Sequence, residues 1–346
     1  MALTLYVDGD RWRSHLRRVH EVHPTLVPVA KGNGYGFGLH RLARKAGWLG
    51  VDTLAVGTYE ELDEVRQRFD GSLLVLTPWR PFSPAPADDP RVMHTVGRLG
   101  DLEALAATGT RPRIVLERMT SMLRHGLSAS DLREAARIAA HGGVRLEGVA
   151  LHLPLAHTSH LNEMQRLMTD VVAADLGTPT VWVSHLSEAE IELLASRWPD
   201  FTLRPRVGTG LWLGDRGALR VRATVLDAHP VERGDTFGYR GRSAPRAGTI
   251  LVVAGGTAHG IGLEAPTGDA SLRARAASIA RGGLDAAGFV RSPYTVGGKQ
   301  RLFAEPPHMQ ASMLFLPSGA DVPEVGDEVD VRVRFTATSF DRVVVS

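Results

Sequence analysis

The 346-residue chain is 43% hydrophobic and 23% charged, enough apolar material for a sizeable core and too much for global disorder. Its 40 basic and 38 acidic residues nearly cancel, and no Lys/Arg block stands out, so neither a nucleic-acid nor a membrane partner is expected. The absence of cysteine excludes disulfides, thiolate metal sites and cysteine nucleophiles together, and no metal centre is expected. The opening MALTLYVDGDRWRSHLRR has no basic-then-apolar leader and the chain has no membrane-length apolar run, so the reading is a cytoplasmic protein.

In chain order, strand-like runs fall at 26–31, 53–58, 72–77, 92–97, 112–117, 146–153, 180–186 and 201–208. Amphipathic segments lie between many of them, notably 59–69, 128–141 (with Ser128 and Ser130 as N-cap candidates) and 187–198. Periodicity alone does not separate a buried strand from a short buried helix, and a doubly wound open sheet remains the structural alternative. The regular interleaving favours βα units closing into an eight-stranded (β/α)8 TIM barrel over residues 1–215. After LWLGDRGA the texture changes. Runs at 219–231, 248–256, 312–317 and 327–335, separated by turn signals, read as a mostly antiparallel β domain over 216–346, which the first few residues join as a strand. The segment 271–281 reads as a basic helical insertion, and the stretches 80–90 and 304–308 are Pro-rich and irregular.

The chain holds only three lysines, Lys31, Lys45 and Lys299, in a sequence that otherwise uses arginine for positive charge. Arginine neither gives up its proton readily nor acts as a nucleophile; lysine does both. Lys31 closes the first strand run in PVAKGNGYGFG (28–38), at the strand end where barrels carry catalytic groups. A lysine desolvated there has a lowered pKa and forms a Schiff base with an aldehyde cofactor. The competing reading is a Gly-rich turn whose lysine reaches out to solvent. The segment has neither the GK[ST] of a phosphate-binding loop nor the GxGxxG of a dinucleotide fold, which counts against an oxidoreductase.

PVAKGNGYGFG resembles the signature of the alanine racemases, barrel-fold (fold-type III) enzymes that use pyridoxal 5′-phosphate (PLP). Further similarities follow in order: TSMLRHG (120–126), GVALHLP (148–154), SHLSEAE (184–190), PRVGTGLWLG (205–214), and then FGYRGR, YTVGGKQ and PHMQASM. The resemblance implies PLP held on Lys31, with Tyr35 among the cofactor-binding residues and Ser187, Gly208 and Thr209 at its phosphate. It places Arg124 near the phenolic oxygen, His152 beside the ring and Arg206 at the pyridine nitrogen. Tyr294 and Met309 fall at substrate-side positions. Read without the resemblance, His152 is more often a core histidine, Ser187 a helix N-cap with Glu190 completing a capping box, Arg206 a partner for a carboxylate and Arg124 a solvated base.

The resemblance also implies a head-to-tail homodimer acting on a small amino acid, each β domain completing the partner's site with a tyrosine from a G-Y-x-D-G motif. Here VVAGGTAHGIG (252–262) stands at that place, with Thr257 for the tyrosine and His259 for the acidic residue. Glu117 stands where many relatives carry a lysine, and Met119 replaces a nearby aspartate. A threonine hydroxyl is too weak an acid to serve unaided. Two expectations follow: a racemase in which His259, placed with Thr257 on a strand-like run, is the second base, or a PLP-binding relative with lost or changed activity.

Overall fold

A computed structural model describes residues 2–84, 89–155, 159–263 and 290–346; the insertion read at 271–281 lies outside the described residues. By contact density the chain divides into two units, Arg13–Gly214 and Met1–Trp12 with Asp215–Ser346. The chain opens with β1 (Leu3–Val7) and α1 (Gly9–Val22). The barrel strands β2 (Val27–Pro28), β3 (Thr53–Val56), β4 (Ser72–Val75), β5 (Val92–Val96), β6 (Arg113–Arg118), β7 (Arg145–His152), β8 (Thr180–Ser184) and β9 (Thr202–Val207) coincide with the eight apolar runs. Between them lie α2 (Leu39–Leu49), α3 (Leu62–Arg66), α4 (Leu99–Ala106), α5 (Ala129–Ala140), α6 (Leu161–Ala174) and α7 (Glu188–Arg197), and the one-turn α8 (Thr209–Trp212) follows β9.

The eight strands form one parallel sheet in the order β2-β9-β8-β7-β6-β5-β4-β3. A parallel Val29–Ala55 bridge and the Ala30 N–H donating to the Ala55 carbonyl at 2.8 Å join its two ends into a (β/α)8 barrel. Val27, Val29, Ala55, Leu74, Met93, Val115, Ala150 and Trp182 pack as one apolar cluster in the interior. A filled interior leaves no pore, so chemistry is confined to the strand ends. Side chains on a strand alternate faces, so the residues two steps on share this inward face. Lys31 follows Val29, Glu117 follows Val115, His152 follows Ala150 and Ser184 follows Trp182. On β9 the Arg204 guanidinium lies 4.5 Å from the Trp182 ring centre, and Arg206 is two residues further on.

Local sequence explains the helix starts. Ser128 and Asp131 form a capping box on α5, as Ser187 and Glu190 do on α7. The segment expected at 59–69 shortens to α3, because Glu61 folds back to accept hydrogen bonds from Gly57 N–H at 2.6 Å and Gly32 N–H at 2.7 Å.

The other unit contains β10 (Leu219–Val231), β11 (Thr236–Phe237), β12 (Arg242–Ser243), β13 (Gly248–Ala254), β14 (Arg291–Val296), β15 (Lys299–Phe303), β16 (Ala311–Pro317), β17 (Glu328–Val331) and β18 (Arg342–Val345). Its main sheet runs β13-β16-β15-β14-β17-β10, and an additional β10–β13 pairing closes the ring. β1 pairs antiparallel with β10, Leu3 opposite Ala223, and β18 runs parallel to β1. One expectation is corrected here. The strand-like run does not continue through Thr257 and His259: β13 ends at Ala254, Gly255 turns the chain at φ 97°, and Thr257–His259 is a 3-10 turn.

Candidate active site

Lys31 stands at the barrel mouth, open to solvent at its surface yet surrounded closely enough that burial lowers its pKa. Arg124 and Arg206 push in the same direction and the Glu61 carboxylate opposes them. Glu61 also accepts from the main chain after both β2 and β3, so one carboxylate fixes the lysine loop against its neighbour.

The Gly-alternating turn is shaped for Tyr35. This residue is buried, adopts a left-handed φ of 55°, and has its hydroxyl pushed up to about 12 by burial and by Glu61. Its hydroxyl lies against Gly208, where any Cβ would collide with it. Across the same corner Trp212 Nε1 donates to the Val29 carbonyl at 2.8 Å, pinning α8 to the lysine strand.

Arg206 is 6% exposed, and its Nε and one terminal nitrogen have no hydrogen-bond partner among the described residues. Unpaired buried donors are costly, so such an arginine marks where an acceptor belongs. Burial lowers it to about 10 against the pull of Glu117. Burial raises Glu117 in turn, with Arg206 and Arg124 opposing. His152 falls to about 3 through burial and then through Arg206, Arg124, His185 and Lys31, so its ring is neutral. Its ring meets His185 edge-on at 5.0 Å; His185 has φ 63° and its Nδ1 lies 2.7 Å from the Leu153 carbonyl. Arg124 sits on the excursion after β6, whose base is closed by Leu127 N–H donating to the Glu117 carbonyl at 2.7 Å.

The structure thus brings Lys31, Tyr35, Arg124, His152, Arg206 and Gly208 to one mouth. Thr209 opens α8 immediately after Gly208. Ser187 follows the seventh barrel strand but is already engaged: its N–H and hydroxyl both donate to Glu190, at 2.9 and 2.8 Å. Bonds from Ser187 and His160 overcome the effect of burial and hold Glu190 at about 2. Glu61 and His185 went unread in the sequence. Their only signals were an acidic residue in a helix's first turn and a histidine just past a strand end.

In the β domain, the Thr257 N–H donates to the His308 carbonyl at 2.8 Å and the Ala258 N–H to the Met309 carbonyl at 2.9 Å, so exposed Thr257 and 73%-exposed Met309 lie side by side. His259 differs from its expected part as a free base. Its Nδ1 accepts from Gly256 N–H at 3.2 Å and its Nε2 meets Asp341 Oδ1 at 3.1 Å. Tyr294 differs too: it is fully buried, and its hydroxyl donates to the Gly255 and Ala254 carbonyls, which makes it a core tyrosine.

A lysine at the end of the first barrel strand, an electrically incomplete ring around it and a separate β domain define a barrel protein with a basic, lysine-centred mouth. Residues 7–215 match the family model described as the alanine racemase N-terminal domain, and the chain belongs to the alanine racemase family. It is 27% identical over 270 residues to the alanine racemase of Nitratidesulfovibrio vulgaris, covering 71% of this chain and 72% of that protein. It is 28% identical over 272 residues to that of Mycobacterium bovis, covering 70% and 69%. Its fold matches the crystal structure of alanine racemase from Bartonella henselae with covalently bound pyridoxal phosphate, at TM-score 0.75 and 17% identity over all of both chains. The biosynthetic alanine racemase of Pseudomonas aeruginosa matches at TM-score 0.68 and 24% identity, over 96% of this chain and 91% of that one.

Proposed function

We propose that this protein binds PLP on Lys31 and, as a cytoplasmic homodimer, interconverts the L and D forms of alanine or a related small amino acid. The observation that carries the reading is Arg206, a buried arginine with unpaired nitrogens in the same inward ring as a lysine of lowered pKa. Such a ring fits a planar, anionic, acceptor-rich group. Lys31 would hold it covalently, Arg206 its pyridine nitrogen, Arg124 its phenolic oxygen, and Tyr35, Gly208 and Thr209 its phosphate. Gly208 and Thr209 follow the eighth strand, where barrels commonly bind phosphate, and the Tyr35 hydroxyl reaches Gly208 from the lysine turn. Ser187 would join them on releasing Glu190.

When bound, PLP supplies the conjugated system that makes the Cα hydrogen of an attached amino acid acidic. The protein's residues do the rest. Lys31, its pKa lowered chiefly by burial, gives up its proton more readily than an ordinary lysine and would serve as amine nucleophile and as proton carrier on one face. Arg206, which keeps its own proton, would leave the ring nitrogen without one and so limit side reactions. His152, neutral, would lie beside the ring without adding charge. The β domain supplies the second face, in the homodimer to a partner subunit.

Thr257 favours a second reading, a PLP-binding relative with one-base or altered chemistry, because no tyrosine occurs in 252–262. Incubating the PLP-saturated protein with L- and D-amino acids in D₂O separates the two. Cα deuterium with inversion, absent in Lys31→Ala, is the expected result; exchange with retained chirality supports the second reading, and no exchange by any amino acid overturns the racemase.

A further inference from the structure

The β domain contains a histidine more open to solvent than His259. Glu305 is buried at 3% exposure and its Oε1 lies 2.6 Å from His308 Nε2. Its other oxygen accepts from Tyr239 N–H at 3.1 Å, and Gly238, at φ 72°, leaves the space the carboxylate fills, since a Cβ there would collide with it. The carboxylate is therefore built into the fold and fixes the imidazole. With Nε2–H donating to Glu305, the lone pair of a neutral His308 resides on Nδ1, which has no hydrogen bond among the described residues. The ring leans on Tyr239, 4.7 Å between centres, and the His308 side chain is 29% exposed. His308 is also tied to the segment that lacks the tyrosine: its carbonyl accepts the Thr257 N–H, and Gly256 packs directly against that carbonyl.

A base whose far nitrogen is oriented by a buried carboxylate is the arrangement general-base sites share. Among the described residues, the other two candidate side chains beside this segment, His259 and Tyr294, are committed. Both His259 nitrogens are engaged and its side chain is 11% exposed, while the Tyr294 hydroxyl is buried on two carbonyls. We infer that His308, positioned by Glu305, is the proton-transfer group the β domain presents in place of a tyrosine at 257. This rests on the racemase reading above. The step balances as a proton exchange: Nδ1 takes the Cα proton, the electron pair stays with the substrate, Glu305 balances the charge of the imidazolium, and the imidazolium then gives its proton to solvent or back to the carbon.

The test has two readouts. Diethyl pyrocarbonate with peptide mapping on the wild-type protein needs no variant: His308 is expected to be modified at Nδ1, His259 to be spared, and alanine to protect His308 in the PLP-loaded protein. In D₂O, His308→Gln is expected to keep the cofactor absorbance and the Cα exchange of one enantiomer while slowing that of the other about 100-fold or more. Glu305→Gln is expected to slow the same enantiomer alone, which a merely structural loss would not do. Exchange of both enantiomers surviving in His308→Gln, an unreactive His308, or loss in Tyr239→Phe with His308→Gln unaffected overturns the inference while leaving the racemase reading intact. A wild-type protein that carries PLP yet exchanges neither enantiomer overturns the racemase reading and the inference with it.

Discussion

The barrel mouth and the β domain treat their polar groups in opposite ways. In the barrel, Arg206 keeps buried donors unpaired, Lys31 and His152 are pushed toward their neutral forms, and Glu117 is raised. In the β domain, His259 answers Asp341 and Gly256, Tyr294 answers two carbonyls, and Ser312 donates to Gly255 at 2.8 Å. A fold tolerates incomplete electrostatics where a ligand completes them and satisfies its polar groups where they only hold strands together. His308, with one nitrogen fixed and one open, is the exception that draws attention to itself.

Removing the centre of the incomplete region breaks the contrast most severely. Lys31→Ala is expected to abolish covalent PLP attachment and lower turnover by about 10³-fold or more, read by absorbance and by chiral product analysis. Arg206→Met separates stability from function. It removes buried unpaired donors, so the PLP-free protein should gain about 1–3 kcal/mol in urea unfolding while its PLP affinity falls. Gly208→Ala forces a methyl group onto the Tyr35 hydroxyl and is expected to cost about 1–3 kcal/mol, seen as a lower Tm.

The pH dependence sharpens the same comparison. His152 sits at about 3 in the fold and the unfolded imidazole near 6.5, so between those values the unfolded chain binds a proton the fold does not. Stability is therefore lost as pH falls from about 6.5 toward 3, and above that range His152 contributes no slope. Urea midpoints across that range should show a flatter curve for His152→Gln than for the wild type. The smallest effect lies outside the contrast: Ser187→Ala removes the α7 cap and is expected to cost about 1 kcal/mol in thermal unfolding.

The barrel was legible because parallel strands buried on both faces read as continuous apolar runs. In the β domain the legibility fell off. β14 and β15 carry Arg291, Pro293, Lys299, Gln300 and Arg301, which break the alternation, although the Gly297-Gly298 pair between them is itself a hairpin signal. Among the mouth residues, Lys31 and His152 lie two steps beyond the inward apolar Val29 and Ala150, whereas Arg206 lies two beyond Arg204. Glu61 was not legible, since it serves Gly32 from 29 residues away. The Glu305–His308 pair was not either, because a loop leaves no periodic trace in sequence. The reading of His259 assumed a strand where Gly255 and Gly260, both at positive φ, bracket a 3-10 turn.

The most direct measurement traps PLP on the wild-type protein with borohydride and maps the labelled peptide. With only Lys31, Lys45 and Lys299 available, the account predicts one equivalent on Lys31 alone, lost in Lys31→Ala. Label on Lys45 or Lys299, or none at all, would contradict it.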